Sequence, residues 1–187
     1  MSKIRIITGS AKGTRLISPK GTDTRPTSDR VKESLFNILS DDIIGKKVLD
    51  LFAGTGNLGI EAISRGADEA FFIDIATDKI IRNNLNRAHF EDKAKIFKGD
   101  VFKFLKFFEK KQLIFDLIFI DPPYYKGLSQ KTMEILDSST IFSDNGIIVL
   151  ESGFNEEFPA YGNIEIFRKV SYGKTTQISL WKRKEIL

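Results

Sequence analysis

Residues 47–66, "KVLDLFAGTGNLGIEAISRG", decide the fold. "KVLDLF" reads as a short apolar strand. Glycines follow in the spacing Gly54-x-Gly56-x-x-Gly59, and "NLGIEAISRG" reads as a helix stopped by Gly66. Glycines at the carboxyl end of a first strand let the chain turn tightly and let backbone approach a ligand closely. The same rhythm continues outward. "EAFFID" is a second strand, and "TDKIIRNNLNRAHF" a helix with Ile80, Ile81, Leu85 and Ala88 inward. "AKIFKG" is a third strand, "VFKFLKFFEKK" a helix, "FDLIFID" a fourth strand, "SQKTMEILDSS" a helix and "GIIVLES" a fifth strand. Alternation of this kind predicts a parallel sheet with helices on both faces. "NIEIFRKVSYGKTTQISLWKR" breaks the rhythm and reads as an antiparallel hairpin at the sheet edge.

Ahead of this unit, "KIRIITGSAKGTRLISP" reads as two short strands around a glycine turn, followed by the loop "KGTDTRPT". Ser28 suits a helix N-cap, with Val31, Leu35, Ile38 and Leu39 on one helical face. The expected organisation is a basic hairpin and loop extension over 1–27 and a doubly wound domain over 28–187, forming one compact unit. The fold class is α/β and Rossmann-like: a seven-stranded, mostly parallel sheet with a terminal antiparallel hairpin and an N-terminal β-hairpin extension.

The chain of 187 residues suffices for one domain with a good core. Its apolar runs are too short to span a membrane, and its N-terminus lacks the apolar segment of a signal peptide. It has no cysteine, hence no disulfide or thiolate metal site, and the single His89, read as a surface residue, makes no metal cluster alone. A cytoplasmic, metal-free protein is expected. Charge is uneven. Residues 1–32 hold eight basic side chains against Asp23 and Asp29, whereas the other 155 residues are slightly acidic. A basic end on an acidic body suits a polyanionic partner.

Asp74 ends the second strand about twenty residues beyond the glycines, where an acid accepts hydrogen bonds from ribose hydroxyls. Glycine loop and acid together point to a nucleoside cofactor. Asp50 lies just ahead of the glycines, where a carboxylate repels a pyrophosphate but suits an ammonium group. Asp100 closes the third strand, placed to meet an adenine amino group. Helix capping or loop hydrogen bonding is the alternative role for both acids. An amino group, a ribose and a sulfonium charge occur together in S-adenosylmethionine. A nicotinamide-dependent oxidoreductase would further need a hydride-transfer acid or base and a substrate domain, for which the chain has no room.

The fourth strand ends in "DPPYY", residues 121–125. The prolines end the strand and stiffen the chain beyond it. The Asp121 carboxylate and the Pro122 carbonyl are then placed to accept two hydrogen bonds from one –NH2 group, with Tyr124 offering a face for stacking. Such an arrangement returns lone-pair density to a poorly nucleophilic exocyclic amine and orients it for direct displacement on a methyl group. A base in a folded nucleic acid would reach Tyr124 by flipping out. Carbon-5 methylation of pyrimidines needs a cysteine adduct, which this chain lacks. Glu151, at the end of the fifth strand, reads either as a loop hydrogen-bonder or as support for the site. The aromatics of "FKFLKFFEKK" read as core with snorkelling lysines.

"IITGSAKGTRLISPKG", "TRPTSDRVKESLFNIL", "VLDLFAGTGNLGIEAISRGA", "FDLIFIDPPY" and "YGKT" occur in one order and spacing over nearly the whole chain. In this the chain resembles the RsmD-type family of bacterial 16S rRNA guanine-N2 methyltransferases. The resemblance implies a class I methyltransferase fold and S-adenosylmethionine as donor, with S-adenosylhomocysteine as product. It implies one guanine of 16S rRNA as acceptor, in the small subunit or an assembly intermediate; a monomer is expected, though the sequence does not fix the oligomeric state. Asp50, Gly54 and Gly56 would hold the methionine part, Asp74 the ribose and Asp100 the adenine, with Thr27 beside the cofactor. Asp121, Pro122 and Tyr124 would be catalytic. Arg25 would lie near the active site, and Lys3, Arg5, Lys12 and Arg15 would contact RNA phosphates. Asn57 stands where small residues are commoner in such loops. A DNA adenine-N6 methyltransferase, a protein-glutamine methyltransferase and a non-catalytic RNA-binding module are the rival readings.

Overall fold

The computed structural model describes residues 4–19 and 29–185. Helix α1 (Asp29–Leu39) precedes the alternating unit β1 (Lys47–Leu51), α2 (Asn57–Ser64), β2 (Glu69–Asp74), α3 (Asp78–Ala88) and β3 (Ala94–Lys98). Next come α4 (Val101–Lys110), β4 (Phe115–Ile120), α5 (Leu128–Ser138) and β5 (Phe142–Gly153), and the chain closes with β6 (Ile164–Tyr172) and β7 (Thr176–Arg183). The strands form one seven-stranded sheet in the order β3-β2-β1-β4-β5-β7-β6. β1 to β5 pair in parallel, while β7 runs antiparallel to both β5 and β6.

The central strands are buried on both faces, so "VLDL" and "LIFI" are continuous rather than alternating runs. One core, including Leu35, Phe36, Ile60 and Phe72, lies on one face, and the other, including Phe71, Leu105, Phe108 and Met133, lies opposite. The phenylalanines of α4 meet this second core, where Phe108 contacts Phe71, Phe97 and Phe115 at ring separations of 5.2–5.8 Å. The strand order reverses between β1 and β4. Ligands bind at such a reversal, beyond the carboxyl ends of the strands.

The N-terminal segment is less regular than two strands. Its hairpin carries a single antiparallel bridge, Arg5 to Arg15, supported by Ile6 N–H to Thr14 O at 3.0 Å and Leu16 N–H to Ile4 O at 2.9 Å. Docking on the helices supplies the rest. Ile4, Ile6 and Leu16 are buried in the first core. The Ile7 and Thr8 amides donate to Glu61 at 2.8 and 3.0 Å, and Asn84 both accepts from Ile17 N–H and donates to Ile17 O.

Helix α1 turns a different face inward than its apolar pattern suggests. Lys32, Leu35, Phe36 and Leu39 are buried, whereas Val31 and Ile38 are half-buried. Lys32 is fully buried, and its Nζ donates to Arg5 O (2.6 Å), Asn57 Oδ1 (2.7 Å) and Glu61 Oε2 (3.0 Å). Burial lowers its pKa, and the charge of Glu61 opposes that shift. Lys32 therefore belongs to the interior rather than to a basic surface. Arg5, exposed, is paired with Asp29 at 2.9 Å. The positive excess of residues 1–32 is thus partly neutralised within the fold.

Candidate active site

A cavity of about 470 Å³ opens at the carboxyl ends of β1, β2, β3 and β4. The turn after β1 forms its floor. Phe52 has φ +60°, Gly54 +55° and Gly56 +77°, so the chain reverses through left-handed conformations that glycine adopts at least cost. Gly59 serves packing instead. A Cβ there would stand 2.4 Å from the buried Phe72 ring and 3.1 Å from Asp50 Oδ2. Gly59→Ala is expected to destabilise the protein by about 1–3 kcal/mol, read as a lower midpoint in a denaturant melt.

Asp50, Gly54, Asp74, Asp100 and Asp121 all line this cavity. Gly56, Pro122 and Tyr124 are not on its wall. Gly56 lies in the turn after β1, and Pro122 and Tyr124 flank Pro123, which does line the cavity. Lys3, Arg25, Thr27 and Ser28 lie outside the described residues. Arg5, Lys12 and Arg15 are exposed on the hairpin and do not line the cavity, which the N-terminal segment reaches through Ile4, Ser18 and Pro19.

Each acid has a distinct environment. Asp50 is buried and accepts Gly59 N–H at 2.9 Å, so a strand carboxylate caps the first turn of α2. Burial pushes its pKa up to about 8, despite the hydrogen bond from Gly59. Asp74 Oδ2 takes Gly54 N–H at 3.0 Å, and Oδ1 takes Ala76 and Thr77 N–H at 2.8 and 3.0 Å. A carboxylate offers about four acceptor directions, which leaves about one for a ribose hydroxyl rather than two. Asp100 Oδ1 caps α4 by accepting Lys103 N–H at 2.9 Å.

Asp121 follows β4, and its carboxyl is held well above the usual carboxylate range by burial and by the charges of Glu151 and Asp50. The Tyr124 hydroxyl donates to Glu151 Oε1 at 2.6 Å and lies 3.4 Å from Thr176 Oγ1. Burial and the Glu151 charge push its pKa far upward. Glu151 therefore supports the site by fixing the Tyr124 hydroxyl.

A carboxyl with a higher pKa in the folded than in the unfolded chain favours the protonated form on folding. Its contribution to stability falls as pH rises from about 4 to about 8. Asp50→Asn keeps an acceptor for Gly59 and removes the charge. It is expected to flatten part of the decline in melting temperature across that range, with Asp121 supplying the rest.

Several site residues carry no signal of their own in the sequence. Thr176 follows "YGKT", a turn carried to Tyr124 by the β6–β7 hairpin, and Tyr172 ties that hairpin to α1 through Ser34 at 2.7 Å. Phe52 and Phe102 line the cavity, with Lys131 Nζ 4.0 Å from the centroid of the Phe102 ring. Buried Asn84 braces the glycine turn through Thr55 O at 2.9 Å. Its polarity at an inward helix position is the one clue to that role.

The doubly wound sheet with its antiparallel last strand, and the cavity at its reversal point, define a Rossmann-like methyltransferase. The family described as "Conserved hypothetical protein 95" matches residues 4–181, and the chain belongs to it. This bears out the RsmD-type resemblance. The chain is 35% identical to ribosomal RNA small subunit methyltransferase D of Escherichia coli (strain K12) over 160 residues, 84% of this chain and 78% of that one. It is 34% identical to the protein of the same name from Buchnera aphidicola subsp. Acyrthosiphon pisum, over 90% of this chain and 87% of the relative. A solved structure of the Escherichia coli protein yhhF, named as a methyltransferase, superposes with a TM-score of 0.83 at 33% identity, covering 97% of this chain and 98% of that one.

Proposed function

We propose that this chain methylates the exocyclic N2 of one guanine in 16S rRNA, within the small subunit or an assembly intermediate, using S-adenosylmethionine and releasing S-adenosylhomocysteine. The carrying observation is the cavity's charge. Among the described residues it is lined by four aspartates and by no lysine or arginine. Such a wall disfavours a pyrophosphate, and the raised pKa of Asp50 and Asp121 is that of carboxyls buried without a cationic partner. A ligand with an ammonium and a sulfonium group supplies that charge. Apolar Phe52 and Phe102 suit an adenine ring, and the cavity volume lies in the range of ligand pockets.

S-adenosylmethionine supplies a methyl group activated on sulfonium sulfur. Asp50, with the turn at Gly54 and Gly56, would hold its amino-acid end. Asp74 would hold a ribose hydroxyl and Asp100 the adenine amine, with Thr27 alongside. The chain's part in chemistry is orientation. The Asp121 carboxylate and Pro122 carbonyl would accept hydrogen bonds from the two N–H groups of the guanine amine, and Tyr124, fixed by Glu151, would pack on the base. As the N–C bond forms and the S–C bond breaks, positive charge develops on nitrogen beside Asp121. One N–H proton then passes to that carboxylate and on to water. A carboxyl with a raised pKa suits that acceptance.

An adenine-N6 or a glutamine amide presents a similar amine. RNA is favoured by the names of the relatives and by exposed Lys12 and Arg15 on the hairpin, with Lys3, Arg5 and Arg25 nearby in sequence. Incubation with labelled S-adenosylmethionine and small ribosomal subunits, DNA or bulk protein should label only the subunits. Label in DNA or protein instead would overturn the acceptor assignment.

Because Ile4, Ile6 and Leu16 are core residues, removing the hairpin would unfold part of the protein. Point changes are the cleaner test of its role. Lys12→Ala with Arg15→Ala should weaken RNA binding and reduce the slope of log affinity against log salt by about 1.5, with cofactor affinity unchanged.

A further inference from the structure

We infer that Tyr125, the second tyrosine of "DPPYY", is a stacking platform for an RNA base neighbouring the target guanine. The inference rests on the reading of the chain as an RNA methyltransferase. Tyr125 is 65% exposed and is the most exposed large aromatic among the described residues. An exposed ring is ordinary, but the way this one is held is not.

Its backbone has φ +59°, a conformation that carries a cost for a bulky residue. Glu156 maintains it by spanning two segments, accepting Tyr125 N–H on Oε1 at 3.0 Å and Gly153 N–H on Oε2 at 2.7 Å. Glu156 is itself anchored, since its carbonyl accepts from Gln177 Nε2 at 2.6 Å. The Tyr125 ring lies against Gly153, where a Cβ would stand 2.4 Å from its Cζ. A side chain-free position, a bridging carboxylate and a costly backbone conformation thus combine to present one aromatic face to solvent.

That face adjoins the reaction site. The rings of Tyr124 and Tyr125 are 6.2 Å apart and perpendicular, at 90°. One planar base cannot lie flat on both. If Tyr124 packs flat on the flipped guanine, Tyr125 meets a different base. Exposed Lys126 follows directly. Phe154, 40% exposed, is tied to the β6–β7 turn by its N–H to Thr175 O at 3.0 Å, beside exposed Lys174. Aromatic faces interleaved with lysines suit unpaired RNA, whose bases stack while its phosphates pair with cations.

The test compares Tyr125→Leu, Tyr125→Phe and Tyr125→Trp in steady-state methylation of small subunits, with cofactor affinity measured separately. Tyr125→Leu should raise the KM for RNA about tenfold, within the range measured for loss of one stacked base. Phe and Trp should hold it within about twofold of the wild type, with kcat and cofactor affinity unchanged in all three. A Leu variant with wild-type KM overturns the inference and leaves the methyltransferase reading standing. So does a fall in kcat at constant KM, which would make Tyr125 a clamp on the target itself. A changed oligomeric state at unchanged KM would mark the patch as a protein contact. If the wild-type enzyme places no label in rRNA, the functional reading fails first and this inference falls with it.

Discussion

Asp121→Ala is expected to slow methyl transfer about a hundred- to a thousand-fold while leaving cofactor affinity within a few-fold. The residue lines the cavity at its acceptor end, beyond β4, whereas Asp74 and Asp100 stand at the ends of β2 and β3. Its role as proposed is made in the transition state, where it faces charge developing on nitrogen. Loss of one such interaction costs about 2.7–4 kcal/mol. Asp121→Asn separates two contributions. It retains an acceptor for one N–H but cannot take the proton, so it should keep more activity than alanine if orientation dominates. The same asparagine should raise the melting temperature at pH 8. The wild-type carboxyl is held well above its usual range by burial, then by Glu151 and Asp50, so its ionisation opposes folding there. A slower but more stable variant is the signature of a group placed for chemistry at a structural cost. Unchanged activity in Asp121→Ala would remove it from the mechanism.

Lys32→Met should destabilise the fold by about 3–5 kcal/mol, a fall in melting temperature of roughly 10 °C. The substitution leaves Glu61 inside the protein with Arg65, at 2.9 Å, as its one remaining cationic partner among the described residues. It also removes the donor to Arg5 O and Asn57 Oδ1. Lys32 joins three parts of the chain: the N-terminal hairpin, α1 and the start of α2. Lys32→Met combined with Glu61→Gln should cost less than the sum of the two single changes, because both remove the same Lys32–Glu61 interaction. A Lys32→Met protein within about 1 kcal/mol of wild type in a denaturant melt would show that the network contributes little.

The sheet is legible in the sequence because its signals are local. "KVLDLF", "EAFFID" and "FDLIFID" are short apolar runs bounded by acids or glycines, and they form β1, β2 and β4 within a residue. The antiparallel end is legible from the "YGKT" turn. Asp50, Asp74, Asp100 and Asp121 are legible as candidate site residues because each sits at or near the end of a strand, the edge at which ligands bind in such sheets, and all four line the cavity. Their division of labour is not. Asp50 and Asp100 cap helices as well as facing the cavity, and only three-dimensional packing shows that a single carboxylate does both. Nor can composition reveal that Lys32 is interior. A lysine one helical turn from Phe36 reads as surface until a buried glutamate from α2 is brought against it. Likewise Tyr124 announces itself by its prolines, whereas its partners Glu151 and Thr176 are 27 and 52 residues away, and nothing local to either marks the contact.

The most direct measurement is of which atom receives the methyl group. Small subunits from a strain lacking this activity are incubated with labelled S-adenosylmethionine and the purified protein, and the rRNA is digested to nucleosides. The account predicts labelled N2-methylguanosine, about one per subunit, formed about a hundred- to a thousand-fold more slowly with Asp121→Ala. Label in any other nucleoside, or label formed by Asp121→Ala at the wild-type rate, would contradict it.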